Sequence, residues 1–172
     1  MLLLIPLAVA GVDQGTKHLV LAHMTLHESW AIIPGLFSIT SVRNPGAAFG
    51  IFSDYGPAFR SIFLVGVSVL AVGLLTVFYL RSRPHDRAAR LGAALVIGGA
   101  IGNLIDRVRL GEVVDFLDVY VGRFHWPAFN VADSAIAVGI GLFLWNTWQD
   151  RHHAADGHTG DVPGSGQGEK AS

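Results

Sequence analysis

Two aspartates stand out by their neighbours. Asp115 lies in Val113-Val-Asp-Phe116, with apolar side chains before and behind it and no basic residue beside it. Asp133 lies in Phe129-Asn-Val-Ala-Asp-Ser134. A carboxyl group wedged among apolar side chains at a membrane surface is disfavoured as an anion, so its affinity for a proton rises. Two carboxyl groups that share a site cannot both ionise easily, and the pair keeps one proton. Such a pair divides the work of cutting an amide. The ionised member takes a proton from a water, while the protonated member polarises the carbonyl and later helps the amine to leave. This chemistry needs neither a metal nor a covalent intermediate. Asp115 and Asp133 stand 18 positions apart (133 − 115) on either side of one connector. That connector must fold back if they are to meet.

Other polar residues compete for attention, each with a plainer reading. Asp106, in Gly98-Gly-Ala-Ile-Gly-Asn-Leu-Ile-Asp-Arg107, is a rival acid. Arg107 and Arg109 stand close by and are expected to hold it as a permanent carboxylate, which suits binding better than proton exchange. In the same segment Gly98 and Gly102 form a GxxxG pattern suited to close helix packing. Asn103 and Arg107, four apart, share a helical face. Asn130 precedes Asp133 by three, a spacing that also fits an N-cap with an acid at the positive end of a helix. Asn44 and Gly46 lie in Asn44-Pro-Gly-Ala-Ala-Phe-Gly50, which reads either as a backbone clamp for an extended peptide or as an ordinary turn. Asp13 and Lys17 share a face of the first helix. Either charge alone inside lipid costs about 2.5–3.5 kcal/mol, so the plain reading is a structural ion pair.

These residues need elements to hold them. Of 172 residues, 51% are hydrophobic and 15% charged, where a soluble domain carries about a quarter charged. Lipid is therefore the expected solvent. The net charge of −1 provides no field for nucleic acid. The absence of cysteine excludes disulfides, thiolate metal sites and cysteine nucleophiles within the chain.

Four apolar stretches are expected to span a membrane as helices. The first runs from Met1 to about Ala22 and is read as retained, because no basic residue precedes it and no Ala-x-Ala site follows. The others are Ala58–Leu80, Leu91–Ile105 and Val131–Trp148. Arginines crowd the connector 81–90, which places it and both termini in the cytoplasm. The unusual polar residues then collect at the opposite, outer face. Arg43, Arg107, Arg109 and Arg123 fall there too, against the charge rule. Partial alternation over Leu36–Val42 predicts a small β element on the membrane surface. The region 1–150 is read as one membrane domain, and 151–172 as a disordered cytoplasmic tail whose His152-His153 pair is solvated.

Taken in order, Asp13-Gln-Gly-Thr-Lys17, Asn44-Pro-Gly-Ala-Ala-Phe-Gly50, Gly102-Asn-Leu-Ile-Asp-Arg107, Val113-Val-Asp-Phe116 and Phe129-Asn-Val-Ala-Asp133 resemble the motifs of the lipoprotein signal peptidases. The resemblance covers about residues 1–150. It implies a mainly α membrane protein of four transmembrane helices with a small extracytoplasmic β cradle. It implies an aspartic endopeptidase of the bacterial inner membrane that removes signal peptides from prolipoproteins before a diacylglyceryl-modified cysteine. No cofactor or metal is expected. The implied partners are lipidated prolipoproteins and membrane lipid, with no nucleic acid and a monomeric chain. Carried over by motif, the catalytic dyad falls on Asp115 and Asp133. Asn44, Gly46, Asn103, Arg107, Asn130, Asp106, Asp13 and Lys17 take binding or supporting places. The competing reading is a small polytopic transporter or channel subunit, which would place its charges near the bilayer midplane between repeats. Here the charges gather at one face and no repeat is visible.

Overall fold

The computed structural model describes residues 4–46, 56–83 and 86–156. Among them are four helices, α1 (Leu4–His23), α2 (Pro57–Arg81), α3 (Arg87–Leu110) and α4 (Val131–Asp156), and four strands, β1 (Ser29–Ile33), β2 (Phe37–Asn44), β3 (Val113–Val121) and β4 (Phe124–His125). The strands form one antiparallel sheet in the order β1-β2-β3-β4. The residues Ala47–Gly50 of the glycine-rich motif lie outside the described residues.

Helix α3 is the hub, since α1, α2 and α4 each pack against it. Small residues make this possible. Gly98 lies against Pro6 and Val9 of α1, and a Cβ there would come within 2.8 Å of Val9. Gly92 and Gly139 face each other across the α3–α4 seam, where an added Cβ would meet the opposite carbonyl at 2.7–2.8 Å. Gly102 is packed against the Asp13 carboxylate. Lipid gives helices no hydrophobic reason to associate, so close van der Waals contact along such seams carries the packing.

Helix α2 differs. Its sequence is apolar nearly all round, yet among its described side chains only Tyr79 is buried. A helix hydrophobic all round must be covered by something. Its 25 residues reach about 37 Å at 1.5 Å per residue, enough for a hydrocarbon core of about 30 Å. Among the described residues two helices are long and apolar enough to cross a membrane, α2 and α3; α4 contributes a shorter apolar stretch, Val131–Asn146.

Several boundaries differ from the sequence expectation. α3 begins at Arg87 and continues to Leu110, so Asp106, Arg107 and Arg109 all lie within it. It stops at Gly111, whose φ of 79° gives the left-handed cap that a Cβ would resist. α4 continues to Asp156, beyond the expected boundary at 150. The β element expected over 36–42 is β2, and it is joined by β3, a nine-residue strand that sequence reading left as connector. Between Ile39 and Val42 the β2–β3 register shifts by one residue, which brings Val42 opposite Asp115. Such a bulge re-aims the side chains that follow it.

Candidate active site

The two aspartates belong to different elements, and the backbone brings those elements together. Asp115 is the third residue of β3, where Val113 to Phe116 are all buried. Asp133 sits in the first turn of α4. The chain between them folds back so that Phe129 pairs with β3: Leu117 N donates to Phe129 O at 2.8 Å and Phe129 N to Leu117 O at 3.1 Å. The start of α4 is thereby fixed beside the buried end of β3.

Amide side chains then hold the carboxylates. Asn130 Nδ2 donates to Asp115 Oδ1 at 2.7 Å and to Asn103 Oδ1 at 3.1 Å. Asn103 Nδ2 donates to Asp133 Oδ1 at 2.8 Å. The two aspartates are therefore linked through Asn103 and Asn130. Asn44 Nδ2 donates to Asp115 Oδ2 at 3.0 Å, while its own oxygen accepts from Gly46 N at 2.8 Å. Gly46 has φ of 83°, which only glycine adopts freely. Its N–H decides which end of the Asn44 amide faces Asp115.

Beneath the amides lies a buried charge cluster. Lys17 is 2% exposed and Asp13 fully buried. Lys17 Nζ lies 2.8 Å from Asp13 Oδ2 and 2.8 Å from Asp106 Oδ2, and donates to Asn103 Oδ1 at 3.0 Å. Three acceptors use the three protons of the ammonium group. Two expectations need correction. The Asp13–Lys17 pair is not self-contained within α1, because Lys17 is shared with α3. Nor is Asp106 held by its neighbouring arginines. It accepts from Lys17, from Gln14 Nε2 at 2.8 Å and from Val114 N at 3.1 Å. A helix points residues i and i+1 in different directions, so Arg107 could not fold back onto Asp106 as easily as Lys17 reaches across. Arg107 instead lies within electrostatic reach of Asp133, Asp115 and Asp106 together, and its Nη1 donates to Asn103 O at 3.5 Å.

The N-cap reading of Asn130 also holds, without excluding its place in the site. Asn130 Oδ1 accepts from Asp133 N at 2.9 Å. Asp13 Oδ1 accepts from Ala132 N at 2.9 Å, so an acid from α1 caps a second free amide of α4. The Asp133 carboxylate does not complete a capping box with Asn130; it turns to Asn103.

Burial raises the proton affinity of Asp115, and the charge of Asp133 adds to the effect. The Asn44 and Asn130 amides and the Lys17 charge oppose it. The balance leaves its pKa at about 6. An open cavity of about 220 Å³ lies beside Asp133, bounded by Trp126, Phe129, Ser134 and Ala137. Sequence reading missed Gln14, whose amide also reaches Gly102 O at 3.1 Å. A glutamine next to a buried acid inside an apolar helix was the available signal.

Residues 5–149 match the family model described as signal peptidase (SPase) II. The chain belongs to the signal peptidase II family. Lipoprotein signal peptidases from Syntrophus aciditrophicus and Syntrophotalea carbinolica are similar to it. The first is 52% identical, over 77% of this chain and 81% of the relative. The second is 51% identical, over 89% of this chain and 95% of the relative. Two solved chains described as bacterial membrane enzymes share the fold. One has a TM-score of 0.78 at 33% identity, covering 87% of this chain and 88% of its own. The other has a TM-score of 0.76 at 34% identity, covering 87% and 93%. This signal peptidase II family member is thus a mainly helical bacterial membrane protein with a small antiparallel sheet.

Proposed function

We propose that this signal peptidase II cuts prolipoproteins with Asp115 and Asp133 acting on one water at the outer face of the bacterial inner membrane. Removal of signal peptides from prolipoproteins goes with the family and with its relatives, which are named lipoprotein signal peptidases. The observation that carries the assignment of the dyad is the bridge Asp115–Asn130–Asn103–Asp133, which gathers both acids at one end of the bundle.

Asp115 is the member that holds the shared proton, because burial and the neighbouring carboxylate both favour its neutral form. Its hydroxyl donates to the scissile carbonyl oxygen. Asp133, at the N-terminal end of α4 where the helix dipole favours an anion, takes the proton of the attacking water. Collapse of the tetrahedral species returns that proton to the departing amine. The Arg107 guanidinium, near both acids, offsets the negative charge that gathers during attack. The cavity beside Asp133 gives room for a substrate side chain.

In this reading all four helices cross the bilayer, with α1 carrying its buried charges toward α3 and away from lipid. Both termini lie in the cytoplasm and the sheet lies outside. The substrate's diacylglyceryl group stays among lipid tails while the peptide crosses the dyad. Concentration of Asp13, Lys17, Asn103, Asp106 and Arg107 at the sheet end of the bundle favours a peptidase over a transporter, whose charges belong at mid-depth.

Cleavage of a lipidated prolipoprotein by purified Asp115→Asn and Asp133→Asn variants tests the dyad. Each substitution is expected to abolish product while thermal unfolding in detergent remains cooperative. Normal turnover by either variant would overturn the assignment.

A further inference from the structure

Strand β1 has no buried residue: all five side chains, Ser29 to Ile33, are exposed. Being the edge of the sheet, it presents Trp30, Ile32 and Ile33 with no charge among them. In water an apolar edge strand of this kind invites aggregation, and soluble proteins blunt such edges with charge or cover.

The exposure continues beyond the strand. The antiparallel order brings the β1–β2 tip beside the β3–β4 tip, since Phe37 pairs with Val119 and Tyr120 N donates to Leu36 O at 2.9 Å. Tyr120 also locks the two tips together, its hydroxyl oxygen accepting from Gly35 N at 3.3 Å and Ser38 Oγ at 3.4 Å. The joined tips carry Ile32 (56% exposed), Ile33 (50%), Val121 (69%) and Phe124 (72%), with Leu36 and Trp126 exposed alongside. No acid occurs in 30–36 or 121–126, where Arg123 is the one Lys or Arg, while Glu28 and Asp118 bond to Trp30 and His125 from just outside these segments.

We infer that this joined double tip and the β1 edge are a lipid anchor, seated in the headgroup and upper acyl region of the outer leaflet. Three observations select lipid as the occupant. The apolar surface belongs to a protein whose helix α2 is long and apolar enough to cross a membrane and leaves most of its apolar side chains exposed, and the sheet begins only three residues beyond the end of α3. Trp30 and Trp126 combine an apolar ring with a polar N–H, the chemistry favoured at the bilayer interface, with the Trp30 N–H donating to Glu28 Oε1 at 2.7 Å. Arg123, which the rule for cytoplasmic arginines leaves unexplained, stands at the tip where a lipid phosphate would accept its hydrogen bonds. Buried apolar area and basic charge are the two terms that hold an interfacial element in place. The anchor would tilt the sheet onto the membrane and hold β3, with Asp115 at its other end, at the level of the lipid surface. This inference rests on the proposed outer position of the sheet.

Fluorescence of single-tryptophan variants in vesicles containing brominated phospholipid tests it. With the remaining tryptophans changed to Phe, Trp30 and Trp126 are each expected to lose most of their emission when bromine sits high on the acyl chain. Both should resist aqueous iodide. A variant retaining Trp145 alone, at the end of the apolar stretch of α4, reports whether the bundle is inserted. Quenching of Trp145 with none at Trp30 or Trp126 overturns the anchor and leaves the spans intact. Loss of quenching everywhere counts against the membrane arrangement itself. The absence of native cysteine allows a second measurement, with a nitroxide on Arg123→Cys whose collision with oxygen should exceed that with a water-soluble nickel chelate. Cross-linking of two copies through position 123 would instead make this face a protein interface and sink the inference.

Discussion

Lys17 Nζ and the side-chain oxygen of Asn103 are 3.0 Å apart, and this contact decides which way the Asn103 amide points. Its oxygen also accepts from Asn130, so its nitrogen must face Asp133. A charge buried in α1 thus orients a group that meets the proposed catalytic acid without touching that acid itself.

Asn103→Ala should therefore lower kcat by on the order of 100-fold, the scale of a misplaced reacting group, with a smaller change in KM. The measurement is a steady-state comparison on a lipidated prolipoprotein. An unchanged kcat would show that Asp133 needs no such support.

Asp106→Asn separates Asp106 from the proposed dyad. Removing its charge leaves Lys17 still paired with Asp13, so the cost should be about 1–3 kcal/mol, the scale of weakened buried hydrogen bonds to a charged group. Residual cleavage per folded molecule should remain well above that of Asp115→Asn. Complete loss in a fully folded Asp106→Asn variant would promote Asp106 to the dyad.

Asp115 also leaves a mark on stability. Its pKa rises from an ordinary 3.8 to about 6 in the folded chain, so between these values the native state binds more protons than the unfolded one. Stability must then fall as pH rises through that window, by about 3 kcal/mol for this group. The contribution is fully present below the lower value and gone above the upper. Unfolding of wild type and Asp115→Asn in detergent across this range should show the slope in the first and its loss in the second.

Gly99 is packed against the backbone of Ala132, with Ile136 2.8 Å from where a Cβ would stand. Gly99→Ala should push α4 away from α3 at about 1–3 kcal/mol, the usual cost of overpacking. Because Asp133 is one residue from Ala132, cleavage should decline further than the unfolded fraction explains. Equal losses would limit the glycine to packing.

The helices were legible as long apolar runs, and α2 follows its expected bounds almost residue for residue. Asp115 drew attention because it stands among Val and Phe, where ordinary folding has little use for a carboxylate, and the fold links it to Asp133 through Asn130 and Asn103. Strand β3 was less visible. Val113–Val121 alternates only in its second half, because its first four residues are buried on both faces. The partner of Asp106 was hidden for another reason. Proximity along the chain favoured Arg107 and Arg109, while the contact that forms joins two helices across the Gly98–Gly102 seam, and no local pattern records it. Gln14 was overlooked because its acceptors lie on that same distant helix.

The bond from Ala132 N to the Asp13 carboxylate ties the earliest helix to be synthesised to the last. A nascent chain that has inserted its first three helices still lacks both Asp133 and the amide that Asp13 receives. With the proposed dyad, no cleavage is expected before α4 has docked on α3 and α1, so activity would arrive with the last element of the bundle.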